Sequence, residues 1–190
     1  MLQNLLTLDG TAYHFINHLP HPWWLVLFFL MFDLLAWSGV AWFVFCLWQI
    51  VRARSPGSRI LGTMGIIVVS VTFVLQEVVL KTLIFRRVRP FITFPDASFF
   101  TILPGGFSFP SGHTADAFAL ATFFALVLRK RRLTILFYTV SSIIAFGRVY
   151  LGVHYPLDVL AGALVGMAIG ALVFEVFRRT RWGRRVLKTI

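Results

Sequence analysis

Cysteine and acidic residues are both scarce in this sequence. Cys46 is the single cysteine, so no disulfide can form within the chain. Asp and Glu together number 7 among 190 residues, and charged residues make up 13%, about half the share that soluble domains carry. Hydrophobic residues make up 58%. This composition excludes a disordered chain and a disulfide-stapled secreted domain, and it predicts a protein that resides in a lipid bilayer.

Basic residues are in excess, with 18 Lys and Arg and a formal net charge of +11. Nucleic-acid binding is one reason for such an excess. Most of these residues, however, adjoin long apolar runs, where anionic headgroups and membrane topology account for them. We therefore expect membrane lipids as partners and no nucleic acid. The sequence does not indicate an oligomeric state.

Long apolar runs predict an all-α fold, an integral membrane helical bundle in which residues 1–190 form one domain with about five or six transmembrane helices. Residues 1–21 contain no Lys or Arg, unlike a cleavable signal, and their apolar positions favour an amphipathic helix at the membrane interface. The expected spans cover roughly residues 23–51, 60–80, 114–128, 133–146 and 156–177.

The distribution of Lys and Arg predicts the orientation. These residues gather in the connections at 52–59 and 129–132 and in the tail at 178–190, and cytoplasmic segments are rich in them. We therefore expect a multi-pass protein of the cell membrane with a basic cytoplasmic tail at 178–190. The longest connection, at about residues 86–112, then faces the extracytoplasmic side, and long loops often carry function.

Three blocks of polar residues fall at the ends of the expected spans on this outer side. Ionisable groups near a bilayer are costly and are therefore functional candidates. Three cations beside two imidazoles suit a multiply charged anion such as phosphate. The blocks are Lys81 with Arg89 and Pro90, then Pro110-Ser111-Gly112-His113, and finally Arg148 with His154 and Asp158.

The second block predicts an anion site at a helix start. Ser111 is suited to the N-cap position, which directs unpaired backbone N–H groups and the positive helix end at the site. Gly112 lets the backbone approach a phosphate. His113, in the first turn, is placed to protonate a leaving-group oxygen.

The third block predicts a nucleophile with a carboxylate that orients it. Pro156 suits the first position of a helix, which places Asp158 in the first turn, where it can reach back to His154. A carboxylate that accepts one imidazole N–H fixes the tautomer and makes the other nitrogen more basic. We therefore expect His154 to attack phosphorus.

The cations complete the predicted chemistry. Lys81, Arg89 and Arg148 can neutralise the three equatorial oxygens of a phosphoryl group in the transition state, a role that requires no metal. Carboxylates such as Asp96 and Asp158 are too few and too separated in sequence for an oxygen-ligand cage. We therefore expect no metal ion and no cofactor at the site.

In these blocks the chain resembles the type 2 phosphatidic acid phosphatase (PAP2) superfamily of membrane lipid phosphatases, over residues 81–158. The resemblance implies a metal-independent phosphatase in which His154 carries a covalent phosphate, Asp158 orients His154 and His113 protonates the leaving group. It also implies a phosphate-binding set formed by Lys81, Arg89, Ser111, Gly112 and Arg148.

The chain departs from the family pattern at two positions. Seven residues separate Lys81 from Arg89, where the family usually has six, and Gly147 replaces a common Ser. On one continuous helix the extra residue would place Lys81 and Arg89 about 80° apart around the axis, so a loop before Arg89 is needed to absorb it. Pairing of Lys81 with Glu77, one turn earlier, is an alternative role for that lysine.

The resemblance allows several lipid substrates. An apolar groove accepts any hydrocarbon tail, so the sequence does not identify the tail of the substrate. Undecaprenyl pyrophosphate ranks first for a small chain with a compact outer loop, before phosphatidylglycerophosphate, phosphatidic acid and lipid A phosphates. Two other functions use the same residues. One is a lipid-linked phosphotransferase, and the other is a transporter or non-catalytic lipid binder.

Several polar residues outside the blocks have more than one interpretation. Arg86 and Arg87 are expected to contact headgroups, and either is an alternative for one phosphate contact. Asp33 and Asp116 are unusual inside a bilayer, and each suits either a proton relay or a hydrogen bond to a neighbouring helix. Metal binding is a possible role for the N-terminal histidines, but solvation at the interface is favoured. These are His14, His18 and His21.

Overall fold

The computed structural model describes residues 2–35 and 40–189. Every regular element in these two ranges is a helix, as the sequence predicts. The α-helix at Pro56–Phe73 continues directly into a wider π-helical segment at Val74–Ile84. In chain order the helices are α1 (Leu2–Asn17), α2 (Trp23–Leu35), α3 (Val40–Arg52), α4 (Pro56–Phe73), α5 (Pro90–Thr93), α6 (Gly112–Leu128), α7 (Arg131–Tyr150), α8 (Pro156–Arg179) and α9 (Arg181–Thr189).

The lengths and compositions of these helices confirm a membrane helical bundle. Three are long and apolar enough to cross a membrane, namely Pro56–Ile84, Arg131–Tyr150 and Pro156–Arg179. They correspond to the expected second, fourth and fifth spans. The expected third span corresponds to α6, which is apolar but shorter.

The expected span at residues 23–51 corresponds to α2 and α3. Residues 36–39, within this run, lie outside the described part of the chain. The two described helices have different neighbours, since α2 packs mainly against α7 whereas α3 packs mainly against α4.

α6 is the central helix and packs against α4, α7 and α8. α8 presents Gly162, Gly166 and Gly170 to it, and a Cβ on any of the three would collide with a backbone carbonyl. At Gly162 the Cβ would lie 2.5 Å from the carbonyl oxygen of Ser111. Small residues at four-residue spacing let membrane helices approach closely. This contact places the N-terminal ends of α6 and α8 side by side.

One face of α1 is anchored to the bundle and to the loop between α5 and α6. Tyr13 and Asn17 are fully buried, and the Tyr13 ring stacks on Phe94 with centroids 5.5 Å apart. The Asn17 amide donates to the Ser98 carbonyl at 2.7 Å and accepts from the Ser98 N–H at 2.9 Å. Placement of α1 at a membrane interface stays a prediction. The apolar side chains that it leaves exposed include Leu5, Leu8 and Phe15.

The polar blocks and the basic connections lie at opposite ends of the bundle. One end holds the N-terminal ends of α6 and α8 and the C-terminal ends of α7 and the π-helical segment. The other end holds the α6–α7 connection with Arg129 and the basic α9. Val186 of α9 is buried in an apolar cluster with Val127 and Phe177, so the tail packs on the bundle.

Candidate active site

His154 lies at the centre of the site and is only 1% exposed. It occupies the short connection between α7 and α8, where its backbone N–H donates to the Arg148 carbonyl at 3.2 Å. Burial lowers the pKa of its imidazole well below the usual range, and nearby cations, among them Arg148 and Arg89, lower it further. The imidazole is therefore neutral and keeps a nitrogen lone pair available.

Arg89 is held against this imidazole by backbone carbonyls. Its Nη1 lies 3.3 Å from Nε2 of His154 and donates to the Val153 carbonyl at 3.1 Å. Its Nη2 and Nε donate to the carbonyls of Gly105 and Gly106 at 3.1 and 3.2 Å. These contacts fix the guanidinium, which is 3% exposed, beside the His154 ring.

Lys81 reaches the site from the last turns of the π-helical segment and is 6% exposed. Its Nζ donates to Glu77 Oε1 at 2.6 Å, so the expected alternative pairing is present. The helix ends at Ile84, and both Phe85 and Arg89 have extended backbones. The extra residue between Lys81 and Arg89 therefore lies in a non-helical stretch, which removes the angular mismatch expected for a continuous helix.

Asp158 lies in the first turn of α8, directly after the predicted Pro156 start. Its Oδ2 accepts from the Tyr155 N–H at 2.9 Å and lies 3.4 Å from Nδ1 of His154. The predicted proximity is therefore present. Within the described ranges, however, His154 Nδ1 has no hydrogen-bond partner, so a small rotation is needed before the carboxylate accepts its proton.

The start of α6 is packed tightly against the π-helical segment. Ser111 occupies the predicted N-cap position, but its side chain makes no capping bond and accepts instead from Thr114 Oγ1 at 3.0 Å. A Cβ on Gly112 would lie 2.5 Å from Gln76 Oε1. Gln76 donates to the Pro110 carbonyl at 2.8 Å. The absence of a side chain at Gly112 thus permits close packing of α6 on the π-helical segment. The sequence predicted a different reason for this glycine, the approach of a phosphate to the backbone.

Asp33 of α2 connects two of the predicted site residues. It forms an ion pair with Arg148, which is 3% exposed in the last turn of α7. His113 Nε2 lies 4.0 Å from Asp33 Oδ1, and Thr101 Oγ1 donates to Asp33 Oδ2 at 2.6 Å. Of the two roles expected for Asp33, the contact with a neighbouring helix is present, and it places a carboxylate inside the site.

Arg87 contacts the site residue Asp158, which the sequence did not predict, and its expected contacts with headgroups or phosphate stay predictions. Its Nη1 donates to Asp158 Oδ1 at 2.9 Å and its Nη2 to Asp9 Oδ2 at 2.6 Å. Its guanidinium carbon lies 3.6 Å from the Tyr155 ring centroid. Asp9 also accepts from the Leu157 N–H at 2.8 Å. α1 is thereby attached to the start of α8.

Asp116 lies on α6 one turn after His113 and is buried, with 2% exposure. Glu77 and Lys81 are among the charged groups that surround it. In the part of the chain that the structure describes, its Oδ1 has no hydrogen-bond partner. Both roles expected for Asp116 therefore stay predictions.

The N-terminal histidines lie outside this site. His14 and His18 both approach Asp96 in the loop between α5 and α6, with Nε2 to Oδ2 distances of 2.8 and 3.5 Å. His21 is separate from them, and its ring centroid lies 4.5 Å from that of Phe100. No pattern in the sequence joins these histidines to Asp96, because the two segments are distant along the chain.

Counter-charges are unevenly distributed among the buried cations of the site. Lys81 pairs with Glu77, Arg148 pairs with Asp33, and Arg87 contacts two carboxylates. Among the described residues, Arg89 forms no ion pair, and its partners are carbonyls and an imidazole. A buried guanidinium without a carboxylate favours binding of an anion. The eight residues predicted from sequence all lie at this end of the bundle, namely Lys81, Arg89, Ser111, Gly112, His113, Arg148, His154 and Asp158.

Comparisons with known proteins agree with this arrangement. Residues 59–182 match the sequence model of the PAP2 superfamily. A lipid A 4′-phosphatase of Bacteroides thetaiotaomicron is 47% identical over 72 residues, which cover 38% of this chain and 32% of that protein. The undecaprenyl-diphosphatase BcrC of Bacillus subtilis is 34% identical over 98 residues, which cover 50% of this chain and 48% of that protein. The chain thus spans about a third to a half of the length of these curated relatives.

A solved structure has the same fold over nearly the whole chain. It is a transmembrane PAP2 type phosphatidylglycerolphosphate phosphatase from Bacillus subtilis, with a TM-score of 0.73 and 24% sequence identity. The superposition covers 94% of this chain and 89% of that one. This likeness includes the helices that carry the site.

Proposed function

This chain belongs to the PAP2 superfamily, and we propose that it is an integral membrane phosphatase that hydrolyses a phosphomonoester or pyrophosphate of a lipid. The observation that carries the proposal is the contact between His154 and Arg89. A neutral, buried imidazole lies 3.3 Å from a buried guanidinium that has no carboxylate partner among the described residues. Such a pair offers a nucleophile and a phosphate-binding cation at the same place.

Phosphate binding is the first step of the proposed reaction. Arg89 holds one phosphoryl oxygen, while Arg148 and Lys81 supply positive charge from α7 and the π-helical segment. Ser111 and Gly112 contribute the start of α6, where backbone N–H groups and the positive helix end favour an anion. Because these groups are buried, water competes with them poorly for the phosphate.

His154 Nε2 then attacks phosphorus. The new N–P bond forms as the bond from phosphorus to the leaving oxygen breaks, and His113 donates a proton to that oxygen. Asp158 stabilises the positive charge that develops on His154 by accepting its Nδ1 proton in a hydrogen bond. Arg89 and Arg148 neutralise the charge on the equatorial oxygens.

Water completes the cycle. His113, now neutral, removes a proton from the attacking water, the N–P bond breaks, and inorganic phosphate leaves. His113 is thereby protonated again and His154 returns to its neutral form. Side chains supply every charge and proton in these reaction steps. We therefore propose that the reaction is independent of metal ions.

Two further side chains position this machinery. Asp33 holds Arg148 and lies 4.0 Å from His113, so it can fix the position of both side chains. Arg87 holds Asp158 on the side away from His154. Neither has to contact the substrate to affect the rate.

The substrate is proposed to be a lipid that enters from the bilayer. Exposed apolar side chains surround the loop that holds Arg89, a surface suited to hydrocarbon at headgroup depth. They include Ile84, Phe85, Val88, Ile102 and Leu103. Undecaprenyl pyrophosphate stays first in the ranking, supported by the similarity to an undecaprenyl-diphosphatase. Phosphatidylglycerophosphate, phosphatidic acid and lipid A phosphates follow.

The extracytoplasmic side is the proposed location of the site. The basic connections and α9 lie at the other end of the bundle, and basic segments favour the cytoplasm. Accessibility of a single cysteine introduced at exposed Ile102 in a Cys46→Ser background would test this orientation. We expect labelling by an impermeant maleimide in intact cells, whereas labelling only after lysis would contradict it.

Release of inorganic phosphate in detergent tests the activity. The purified chain is incubated with each of the four lipids in the presence of EDTA. His154→Ala should reduce turnover by at least about 1,000-fold, and His113→Ala by about 100- to 10,000-fold. Arg132→Ala, at the opposite end of the bundle, is the control. Full activity of His154→Ala, or loss of wild-type turnover in EDTA, would contradict the mechanism.

The same assay distinguishes the two other functions. A phosphotransferase would yield a phosphorylated lipid or sugar acceptor without an equal amount of free phosphate. A transporter or non-catalytic lipid binder would retain its function in His154→Ala. A covalent phosphohistidine, trapped by acid quench with a radiolabelled substrate, is expected in the wild type and absent in His154→Ala.

A further inference from the structure

We propose that His14, His18 and Asp96 form a binding site for a divalent transition-metal ion of the Zn²⁺ type, which links α1 to the loop between α5 and α6. This site is separate from the proposed catalytic groups and does not depend on the proposed function. One ligand atom from each of the three side chains lies within 4.8 Å of the other two.

The distances between the ligand atoms suit a metal ion. Nε2 of His14 lies 2.8 Å and Nε2 of His18 lies 3.5 Å from the same carboxylate oxygen of Asp96. In a tetrahedral Zn²⁺ site with bonds of about 2.0–2.1 Å, neighbouring ligand atoms are about 3.3–3.5 Å apart. The His18–Asp96 distance already matches this geometry, and the His14–Asp96 pair has to separate by about half an ångström to admit the ion.

A backbone hydrogen bond orients the His18 ring. Its Nδ1 donates to the backbone carbonyl oxygen of His14 at 2.9 Å, which leaves Nε2 as the nitrogen that faces Asp96. A second hydrogen bond of this kind commonly orients histidine ligands and increases their basicity.

The end of α1 brings the two imidazoles together. His18 directly follows the last residue of α1, and its N–H still donates to the His14 carbonyl at 3.0 Å. The two rings stack with centroids 3.9 Å apart and an interplanar angle of 11°. Asp96 comes from a different segment, the loop after α5. The hydrogen bond from His14 lowers the pKa of Asp96, which keeps the carboxylate ionised.

The donor set selects among metals. Two imidazole nitrogens and one carboxylate oxygen suit Zn²⁺ and related transition metals, whereas Mg²⁺ and Ca²⁺ favour sites made of oxygen alone. The side chains of His14, His18 and Asp96 are 45%, 40% and 56% exposed. An ion can therefore enter from solvent, and water can occupy the fourth position.

Metal binding here would strengthen an attachment close to the active site. The loop that carries Asp96 continues to Gly105 and Gly106, whose carbonyls hold Arg89. α1 already contacts this loop through Asn17 and Ser98. A bound ion would add a further link between α1 and the loop. We therefore expect it to increase the stability of the protein without taking part in the chemistry.

Zinc titration of the full chain in detergent tests the proposal. The protein is stripped with EDTA, exchanged into metal-free buffer and titrated with ZnCl₂ against a chromogenic chelator. We expect one equivalent bound and a higher melting temperature for the wild type. His18→Ala should bind at least about tenfold more weakly, and His18→Cys, which restores a zinc ligand, should recover binding. His21→Ala is the matched control and should retain it.

Three results would overturn the proposal. The first is a wild type that takes up no zinc, and the second is a His18→Ala variant that binds as tightly as the wild type. The third is zinc that is lost in His154→Ala but kept in His18→Ala, which would place the ion in the active site. Melting curves of each variant without metal report whether it is folded.

This site also affects the EDTA test of the proposed mechanism. Repeating the phosphate-release assay on His18→Ala separates the two hypotheses, because this variant lacks the outer site. If turnover of His18→Ala stays insensitive to EDTA, the chemistry is metal-free. If EDTA abolishes it, a catalytic metal is present and the proposed mechanism fails, whatever the zinc titration shows.

Discussion

Arg87 donates a hydrogen bond from Nη1 to Oδ1 of Asp158 at 2.9 Å. The other oxygen of this carboxylate lies 3.4 Å from Nδ1 of His154. The second guanidinium nitrogen of Arg87 is held by Asp9 at 2.6 Å. Asp9 of α1 therefore holds Arg87 in place. Arg87 in turn holds Asp158, the carboxylate that faces the proposed nucleophile His154.

Replacing Arg87 should lower turnover because Asp158 would lose its main cationic partner. We expect Arg87→Ala to reduce kcat about 100-fold through misorientation of His154, with little change in KM. Arg86→Ala is the matched control, since within residues 2–35 and 40–189 the Arg86 side chain donates to the Thr82 carbonyl of the π-helical segment and to no site residue. Equal rates for the two variants would exclude a positioning role for Arg87.

The pH dependence of activity should reflect the lowered pKa of His154. A free histidine titrates near about pH 6.5, but burial and the surrounding cations keep His154 neutral below that pH. We therefore expect kcat/KM to persist below pH 6.5 and to fall only where His154 becomes protonated. The charged groups that lower its pKa are Arg148, Arg89, Lys81 and His113, and Asp158 faces it from α8.

Arg89→Gln tests the cause of this shift. Removing the cation raises the pKa of His154 toward its usual value, so the acidic limb of kcat/KM should move to higher pH. The ratio of variant to wild-type rates at each pH cancels the ionisation of the substrate. Arg132→Gln, on the far end of the bundle, should leave the limb in place, and an unmoved limb in Arg89→Gln would contradict the assignment of His154 as the titrating base.

Local patterns in the sequence predicted the contacts that are made within one helical turn. Pro156 at a helix start fixes where Asp158 lies relative to His154, and a four-residue spacing suffices for that inference. The contacts of Arg87 with Asp9 and of Asp33 with Arg148 depend on how α1 and α2 pack. Because such pairs join distant segments, a single sequence carries no periodic signal for them.

The packing of α8 on α6 was partly readable from the sequence. Gly162, Gly166 and Gly170 recur every fourth residue, which is typical of close helix contacts in membranes. The spacing alone does not identify the partner helix. The structure identifies the partner as α6, because the carbonyls of Ser111 and Ala115 occupy the space that a Cβ at Gly162 or Gly166 would need.

A side chain at Gly166 should disrupt this contact and the site with it. A Cβ there would collide with the Ala115 carbonyl, so we expect Gly166→Ala to cost about 1–3 kcal/mol of stability and to lower the melting temperature. Gly57→Ala is the matched control, since its Cβ would lie 3.9 Å from its nearest neighbour, Ser55 Oγ. A Gly166→Ala variant as stable as the wild type would show that α8 can move away from α6 without cost.

Asp33 should act on Arg148 through its charge. Asp33→Asn keeps the shape of the side chain but removes the counter-charge of Arg148. We expect kcat/KM to fall about tenfold, equivalent to about 1.4 kcal/mol, because the guanidinium of Arg148 is then held less firmly in the site. Thr101→Val removes the hydrogen bond to Asp33 while keeping the charge.

The two variants separate an electrostatic role from a structural one. If Asp33 acts by charge, Asp33→Asn lowers kcat/KM far more than Thr101→Val does for the same change in melting temperature. If Asp33 only packs α2 against α7, the two variants lower kcat/KM in proportion to their loss of melting temperature. Steady-state phosphate release, with melting curves measured in parallel, distinguishes these outcomes.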